Sequence, residues 1–200
     1  MNQPPHIEVR RQKYIQDQLG ESAEVKKKMA GACTPSILKA ADLLINAFQS
    51  RKKVLLCGNG GSAADSQHIA TELVIHLSDK ERPALPAIAL TTDTSNLTAG
   101  ANDLGFERIF ARSVEALGEE GDVLIALSTS GKSQNVNNAI RAAKEKRMRV
   151  IGLLGKGGGQ SKELVDVAVI VPSDDTQRVQ EGHITIGHIL CGLVEQELFG

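Results

Sequence analysis

The chain has 200 residues, a formal net charge of −1 and an aromatic content of only 2%. A near-neutral surface argues against a nucleic-acid or anionic-membrane partner, and the shortage of aromatic rings argues against stacking on single-stranded nucleic acid. Because hydrophobic residues make up 41% of the chain, it can bury a sizeable core. The length suits one large domain, or one domain with an added helical arm.

The cysteines and the N-terminus indicate the compartment. Cys33, Cys57 and Cys191 are odd in number, far apart and without a CxxC pair, so we expect free thiols in a reducing cytosol. The N-terminus has no apolar signal region, and the chain has no run of about 18 apolar residues. We therefore expect a cytoplasmic protein without a membrane partner.

The N-terminal part of the chain, residues 1–34, is predicted to form a helical arm. Residues 6–29 are charged and helical in pattern, with scattered apolar positions. Thr34 followed by Pro35 predicts the start of a second helix, with Thr34 as its N-cap and Pro35 at the first helical position. This helix opens the main domain, which is predicted to span residues 35–200.

Five short apolar segments in the main domain alternate with helical segments. Continuous runs of Val, Ile and Leu are typical of strands that are buried on both faces of a parallel sheet. The predicted strands are residues 54–57, 87–90, 122–127, 150–154 and 167–171. Predicted helices begin near residues 63, 106, 133 and 176, and residues 102–105 are predicted to form a turn. This alternation predicts an α/β fold, a doubly wound five-stranded parallel sheet of the flavodoxin-like sandwich type.

Polar loops follow the first three predicted strands. Residues 58–62, 91–94 and 128–133 are rich in Ser, Thr, Asn and Gly. In open parallel sheets ligands bind outside the carboxyl ends of the strands, so these loops are predicted to lie at one edge. The first loop also leads into a helix, whose unpaired N–H groups attract anions. Together the loops indicate a pocket for a polyol phosphate.

Two nucleotide-binding motifs are matched only in part. The segment from Gly58 to Ala63 fits the dinucleotide fingerprint, but the acidic residue that should follow about 20 positions later comes too late, at Asp93. Residues 131–133, GKS, resemble the end of a Walker A loop, but Ala126 occupies the position of its first glycine. A sugar phosphate is therefore favoured over a dinucleotide or a nucleoside triphosphate.

Two helices carry residues that are suited to binding a metal ion. His68 and Glu72 lie four residues apart, about 40° around the helix axis, so both side chains reach one point. Such a pair alone would more often be solvent-facing. The last helix adds His188 among apolar neighbours, where a buried imidazole needs a partner. A histidine and an oxygen ligand from each helix indicate a four-ligand site for Zn²⁺ or a similar ion. His183, about 140° from His188, is expected to face elsewhere.

Spacing alone leaves the remaining ligands open. Gln180 lies about 80° from His188 around the last helix and Glu181 about 20° from it, so either can supply an oxygen. His76 extends the first stripe by one helical turn and is a rival ligand. Asp65 also lies on this helix, where it can simply favour the N-terminus.

Four segments together resemble the sugar isomerase (SIS) domain family, and within it the phosphoheptose isomerases. They are CGNGGSAADSQHIATE, RPALPAIALTTDTSNLTAGANDLGF, GDVLIALSTSGKSQNV and RVQEGHITIGHILCGLVE, and they are spread over residues 35–200. The resemblance implies conversion of sedoheptulose 7-phosphate to D-glycero-D-manno-heptose 7-phosphate. This is the first step of heptose biosynthesis for the lipopolysaccharide core or related surface glycans. It also implies a homotetramer whose active sites lie between subunits.

The resemblance further implies which residues form the site. It assigns one Zn²⁺ per subunit to His68, Glu72, Gln180 and His188, and acid–base chemistry to Glu72 and His188. Lys132 stands where relatives often have Asn, and we infer no change of reaction from it. The implied substrate-binding residues are Asn59, Gly60, Gly61, Glu72, Asn102, Asp103, Ser128, Thr129, Ser130, Ser133 and Gln180.

Two other functions remain open at this stage. One is a non-catalytic SIS paralogue, such as the one that associates with the replication initiator protein. That paralogue lacks the catalytic carboxylate and the second histidine, whereas Glu72 and His188 are both present here. The other is a sensor, or an isomerase, for a different sugar phosphate, because loop chemistry does not separate six-carbon from seven-carbon substrates.

Overall fold

The structure is a computed structural model that describes residues 5–200, so the first four residues of the predicted arm lie outside the described part. Seven α-helices and five strands are formed within these residues. The helices are α1 (Pro5–Ala32), α2 (Thr34–Gln49), α3 (Gly61–Val74), α4 (Thr94–Leu104), α5 (Ile109–Leu117), α6 (Gln134–Glu145) and α7 (Thr176–Phe199). The strands are β1 (Val54–Cys57), β2 (Ala87–Ala89), β3 (Val123–Ser128), β4 (Arg149–Leu154) and β5 (Val167–Ile170).

All five strands are parallel and lie in the order β2-β1-β3-β4-β5, which confirms the predicted fold class. The order reverses between β1 and β3, because β2 lies on one side of β1 and the later strands on the other. In sheets of this type the reversal opens a crevice at the carboxyl edge, where ligands bind. The loops after β1 and β3 therefore flank this crevice.

Helices cover both faces of the sheet, which explains why its central strands are apolar throughout. Val54 and Leu56 pack into one core with α2, α3 and α7, whereas Leu55 and Cys57 pack into a second core with α5 and α6. The arm α1 joins the first core through Met29. None of the described helices has the length and apolar character that crossing a bilayer requires.

The predicted cap of α2 is wrong. Cys33 is the N-cap residue, and Thr34 already belongs to the helix. The Thr34 hydroxyl donates a hydrogen bond to the Ala30 carbonyl, 2.7 Å away in the preceding turn. A nearby helical carbonyl competes with the capping role for the same side chain, and α1 supplies one because it continues to Ala32.

The turn predicted at residues 102–105 is also wrong for most of its length, because α4 extends to Leu104. The Asp93 carboxylate caps this helix by accepting a hydrogen bond from the Asn96 N–H at 3.0 Å. The helix ends at Gly105, whose φ of +90° is a conformation that glycine adopts without strain.

Candidate active site

The close packing of α3 against α7 brings two histidines together. The helices run side by side in the same direction, and Gly187 on α7 lies against Ile69 on α3. A Cβ atom at position 187 would lie 2.6 Å from Ile69 Cγ1, so only glycine allows this approach. The neighbouring residues in the two helices are His68 and His188, and their Nε2 atoms are 2.9 Å apart.

Glu72 completes a three-residue cluster. Its Oε1 lies 3.0 Å from His68 Nε2, and the ligand atoms of Glu72, His68 and His188 all lie within 4.8 Å of one another. The His68 side chain is 46% exposed, so a ligand can reach the cluster from solvent. Two imidazole nitrogens and one carboxylate form a typical catalytic zinc set, which leaves a fourth position for another ligand. The residues present therefore fit such an ion.

Gln180, the fourth predicted ligand, lies two turns before His188 on α7. Its side-chain amide contacts Gly61 at the start of α3 and occupies the space that a Cβ atom there would fill. Within the described residues, Gln180 forms no hydrogen bond to the three-residue cluster. The structure thus places Gln180 beside the predicted sugar-binding residue Gly61.

The rival ligands His76 and Asp65 are not members of the three-residue cluster. His76 follows α3, which ends at Val74, so it does not continue the helical stripe. Asp65 has a buried Oδ2 atom without a hydrogen-bond partner, and burial raises the pKa of its carboxyl group. His183 is fully buried, and burial lowers its pKa to about 4, although the Leu154 backbone offsets part of the shift.

A pair of asparagines links the loops on either side of the crevice. The amide of Asn59 donates to the Asn135 oxygen at 2.9 Å, and the amide of Asn135 donates back to the Asn59 oxygen at 2.8 Å. Asn135 is buried in the first turn of α6, whereas Asn59 belongs to the loop after β1. The predicted sugar-binding residues 59–61 are therefore held by a residue that sequence reasoning missed.

The loop after β3 has the geometry of an anion site. Ser128 Oγ accepts a hydrogen bond from the Gly131 N–H at 3.1 Å, and Ser130 Oγ accepts one from the Lys132 N–H at 3.2 Å. Ser133 is the N-cap residue of α6, but its side chain makes no capping hydrogen bond. The N–H groups of Gln134 and Asn135 at the start of α6 therefore remain available to an anion, as the sequence predicts, whereas the N–H of Val136 donates to Asn135 Oδ1 at 2.9 Å.

A second loop holds this anion loop in place. Gly131 has a φ of +61°, and a Cβ atom there would collide with the carbonyl oxygen of Gly158. Ser161 donates to the Gly131 carbonyl through both its N–H, at 3.0 Å, and its Oγ, at 3.1 Å. Ser161 Oγ also lies 2.6 Å from Asn137 Oδ1. Gly158 and Gly159 therefore pack against the anion loop.

Asn102 and Asp103 lie on the exposed side of α4. The Asn102 amide donates to Asp103 Oδ1 at 2.7 Å. Within the described residues, neither forms a hydrogen bond to the loops after β1 and β3. Asp103 lines a concavity of about 560 Å³ between α4 and α5, and the histidine cluster does not contribute to that lining.

The fold, the crevice loops and the histidine cluster together define a protein of the sugar isomerase class. A family model of the SIS domain matches residues 19–155. Phosphoheptose isomerase of Geotalea uraniireducens (strain Rf4) is 55% identical to the chain and aligns over 93% of this chain and 98% of its own. Phosphoheptose isomerase of Burkholderia pseudomallei (strain K96243) is 50% identical, and the alignment covers 97% of this chain and 99% of that protein.

Solved structures agree with these relatives. Phosphoheptose isomerase GmhA of Neisseria gonorrhoeae has a TM-score of 0.87 and 41% identity, and the match covers 92% of this chain and 98% of that chain. The Francisella tularensis phosphoheptose isomerase has a TM-score of 0.89 and 40% identity, over 92% and 97%. The chain therefore belongs to the phosphoheptose isomerase family of SIS domain proteins.

More distant structures share the fold alone. The Vibrio vulnificus NanR protein complexed with ManNAc-6P is 14% identical, with a TM-score of 0.68, and the match covers 96% of this chain and 67% of that chain. The SIS fold alone therefore does not define the reaction.

Proposed function

We propose that the protein is an aldose–ketose isomerase that converts sedoheptulose 7-phosphate to D-glycero-D-manno-heptose 7-phosphate. The observation that carries the proposal is the juxtaposition of Glu72 and His188 on either side of His68, in a chain about half identical to phosphoheptose isomerases over nearly its whole length. The reaction would open heptose biosynthesis, for the lipopolysaccharide core or related surface glycans, in the cytoplasm.

The chemistry requires a base, an acid and a fixed substrate. Glu72 removes a proton from C1 of the ketose, and the electron pair forms the enediol as the C2 carbonyl oxygen gains a proton from His188. His188 then accepts the C1 hydroxyl proton, and Glu72 returns its proton to C2. The two residues suit this exchange because their reactive atoms lie within 4.8 Å of each other, beside His68.

The proposed metal site consists of His68, Glu72 and His188, with Gln180 as the fourth ligand and one Zn²⁺ per subunit. When bound, the ion would polarise the substrate carbonyl as a Lewis acid. Gln180 can turn from Gly61 toward the cluster because it is a long side chain with three rotatable bonds, and this turn would link metal binding to the sugar loop.

The substrate phosphate is proposed to bind the loop of Ser128, Thr129, Ser130 and Ser133. Asn59, Gly60 and Gly61 would contact the sugar. The exposed positions of Asn102 and Asp103 support a site that is completed when subunits associate. Exposed apolar side chains on α1, which include Tyr14 and Leu19, support the proposed homotetramer. Light scattering at micromolar concentration tests it, and a monomer would contradict it.

The experiment that tests the reaction compares wild-type protein with Glu72→Gln on sedoheptulose 7-phosphate. Removal of a general base costs about 10²- to 10⁴-fold in rate, so Glu72→Gln should lose activity by that factor. Glu197→Gln, a change at an exposed residue of α7, is the control and should retain activity. A wild-type rate for Glu72→Gln would contradict the catalytic assignment.

Substrate range and metal are tested in the same assay. We expect sedoheptulose 7-phosphate to be preferred over a six-carbon ketose phosphate, activity to fall with a chelator, and Zn²⁺ to restore it. A preference for the six-carbon substrate would favour a different isomerase. Binding without turnover would indicate a sensor or the non-catalytic paralogue.

A further inference from the structure

A buried ion pair joins α7 to the loop that follows α3. Arg82 Nε donates to Glu195 Oε1 at 2.6 Å, and the two side chains are 0% and 7% exposed. Arg82 lies in the loop between α3 and β2, and Glu195 lies two turns beyond His188 on α7. The pair therefore connects the loop at the end of α3 to α7, and these two helices carry the cluster of His68, Glu72 and His188.

The Glu195 carboxylate is saturated with donors. It accepts hydrogen bonds from the backbone N–H groups of Leu77 at 2.7 Å, Ser78 at 3.0 Å and Asp79 at 3.3 Å. Burial by itself would raise the Glu195 pKa, but the Arg82 guanidinium and these N–H groups lower it to about 2. The group is therefore ionised near neutral pH, and it attaches residues 77–79 and Arg82 of the loop to α7.

Arg82 also holds the residue that carries the proposed base. Its Nη2 donates to the backbone carbonyl of Glu72 at 2.6 Å, and its Nη1 donates to the carbonyl of Pro83 at 2.9 Å. Glu72 lies in the last turn of α3, where carbonyl groups have no partner within the helix. One guanidinium thus bridges Glu72 on α3 and Glu195 on α7.

This arrangement has a geometric consequence for the cluster. Glu72 and His188 come from different helices, so their separation depends on how far α3 is shifted along α7. A buried ion pair is a poor source of net stability, because desolvation of both charges offsets their attraction. The arginine guanidinium is planar and has several N–H donors in fixed directions, however, so it defines the relative position of the groups that it joins.

We propose that Arg82 and Glu195 are positioning residues for the isomerase reaction, which set the position of Glu72 on α3 relative to His188 on α7. The inference rests on the proposed function. Neither residue touches the substrate in this role. Displacement of catalytic groups by about 1 Å can cost 10²-fold in rate, and loss of an outer supporting contact typically costs 10- to 100-fold in activity.

The test uses two variants of the full chain. Glu195→Gln removes the charge and keeps the shape, and Arg82→Lys keeps the charge but has one nitrogen, which does not bridge Glu72 and Glu195 as the fork does. We expect kcat for sedoheptulose 7-phosphate to fall about 10- to 100-fold in both, with KM within about twofold of wild type, because the phosphate loop is unaffected.

The control is Asp122→Asn, which removes another buried carboxylate. Asp122 pairs with Lys53 at 2.7 Å and accepts hydrogen bonds from two backbone N–H groups. It lies just before β3, at the edge of the sheet opposite the crevice. We expect it to lower the melting temperature with kcat within about twofold of wild type. Wild-type kcat in both Arg82→Lys and Glu195→Gln would overturn the inference, as would an equal loss of kcat in Asp122→Asn.

The Glu72→Gln variant separates the two levels of the proposal. If Glu72→Gln is inactive and the Arg82 and Glu195 variants have wild-type kcat, the inference fails and the proposed function stands. If Glu72→Gln is fully active, the proposed function fails, and the positioning role fails with it.

Discussion

Gly187 on α7 lies directly against Ile69 on α3, and the missing side chain at Gly187 sets the distance between the two helices. A Cβ atom would lie 2.6 Å from Ile69 Cγ1 and 2.7 Å from its Cδ1. Ile69 is buried in the core between the sheet and these helices. Because His68 and His188 are the adjacent residues, the approach of the two backbones determines the distance between the two imidazoles.

Gly187→Ala should therefore separate the histidines. Overpacking typically costs about 1–3 kcal/mol, and we expect a loss of that size in the free energy of unfolding together with a large fall in isomerase activity. The control is Gly192→Ala in the same helix, where a Cβ atom would make only an ordinary contact, 3.6 Å from Leu77 Cδ2. That change should stabilise the protein by about 0.5–1 kcal/mol. Equal behaviour of the two variants in denaturation and rate measurements would contradict the role of Gly187.

The reciprocal hydrogen bonds of Asn59 and Asn135 should be visible as energetic coupling. Removal of one amide leaves its partner unpaired, which costs about 1–3 kcal/mol at a buried position. We expect Asn59→Ala, Asn135→Ala and the double variant to give a coupling energy of about 1 kcal/mol or more by denaturant unfolding. KM for the sugar phosphate should rise in Asn135→Ala, because the loop 59–61 loses its support. Additive effects within about 0.5 kcal/mol would show that the pair is not coupled.

The anion loop should depend on the absence of a side chain at Gly131. Gly131→Ala would place a Cβ atom against the Gly158 carbonyl, so we expect a loss of at least about 2 kcal/mol and weaker binding of sugar phosphate. Gly157→Ala is the matched control, because Gly157 has a φ of +75° but open space around its Cα. It should show only the backbone strain of about 1 kcal/mol. Calorimetric melting and a sugar-phosphate titration of both variants check this prediction. Equal losses of stability and binding in the two variants would show that the collision with Gly158 is not the cause.

His183 should make stability dependent on pH between 6.5 and 4. Burial lowers its pKa to about 4 in the folded protein, against an ordinary value of 6.5. The unfolded chain binds more protons in this interval, so the His183 contribution is complete above pH 6.5 and is lost as the pH falls to 4. We expect the loss to reach roughly 3 kcal/mol and to disappear in His183→Gln. Unfolding measured across this interval would contradict the prediction if both proteins had the same pH slope.

Glu195 titrates in a separate and lower interval. Its folded pKa of about 2 lies below the ordinary 4.5, so its stabilising contribution is present above pH 4.5 and is lost toward pH 2. Glu195→Gln should therefore be less stable than wild type above pH 4.5, and the difference in the free energy of unfolding should shrink as the pH falls from 4.5 toward 2.

The sequence by itself determined the strands, because continuous apolar runs have few alternatives to a buried parallel sheet. It also located the loops 58–62 and 128–133 through their glycine and hydroxyl residues. The geometry of His68 and Glu72 followed from the helical period alone. Their pairing with His188 could only be proposed, because spacing also allowed His76 and Asp65. The error at Thr34 arose from a local competition that depends on whether the preceding turn is helical.

Tertiary structure alone decided which distant residues meet. The bonded partners Asn59 and Asn135 are 76 positions apart, and Arg82 and Glu195 are 113 positions apart. Neither pair has a periodic signal, since their contact depends on how whole helices pack on the sheet. The same holds for Gly187, which matters because its missing side chain leaves room for Ile69 of α3. Local patterns of polarity determine the elements, whereas the shape of the packed surfaces determines the site.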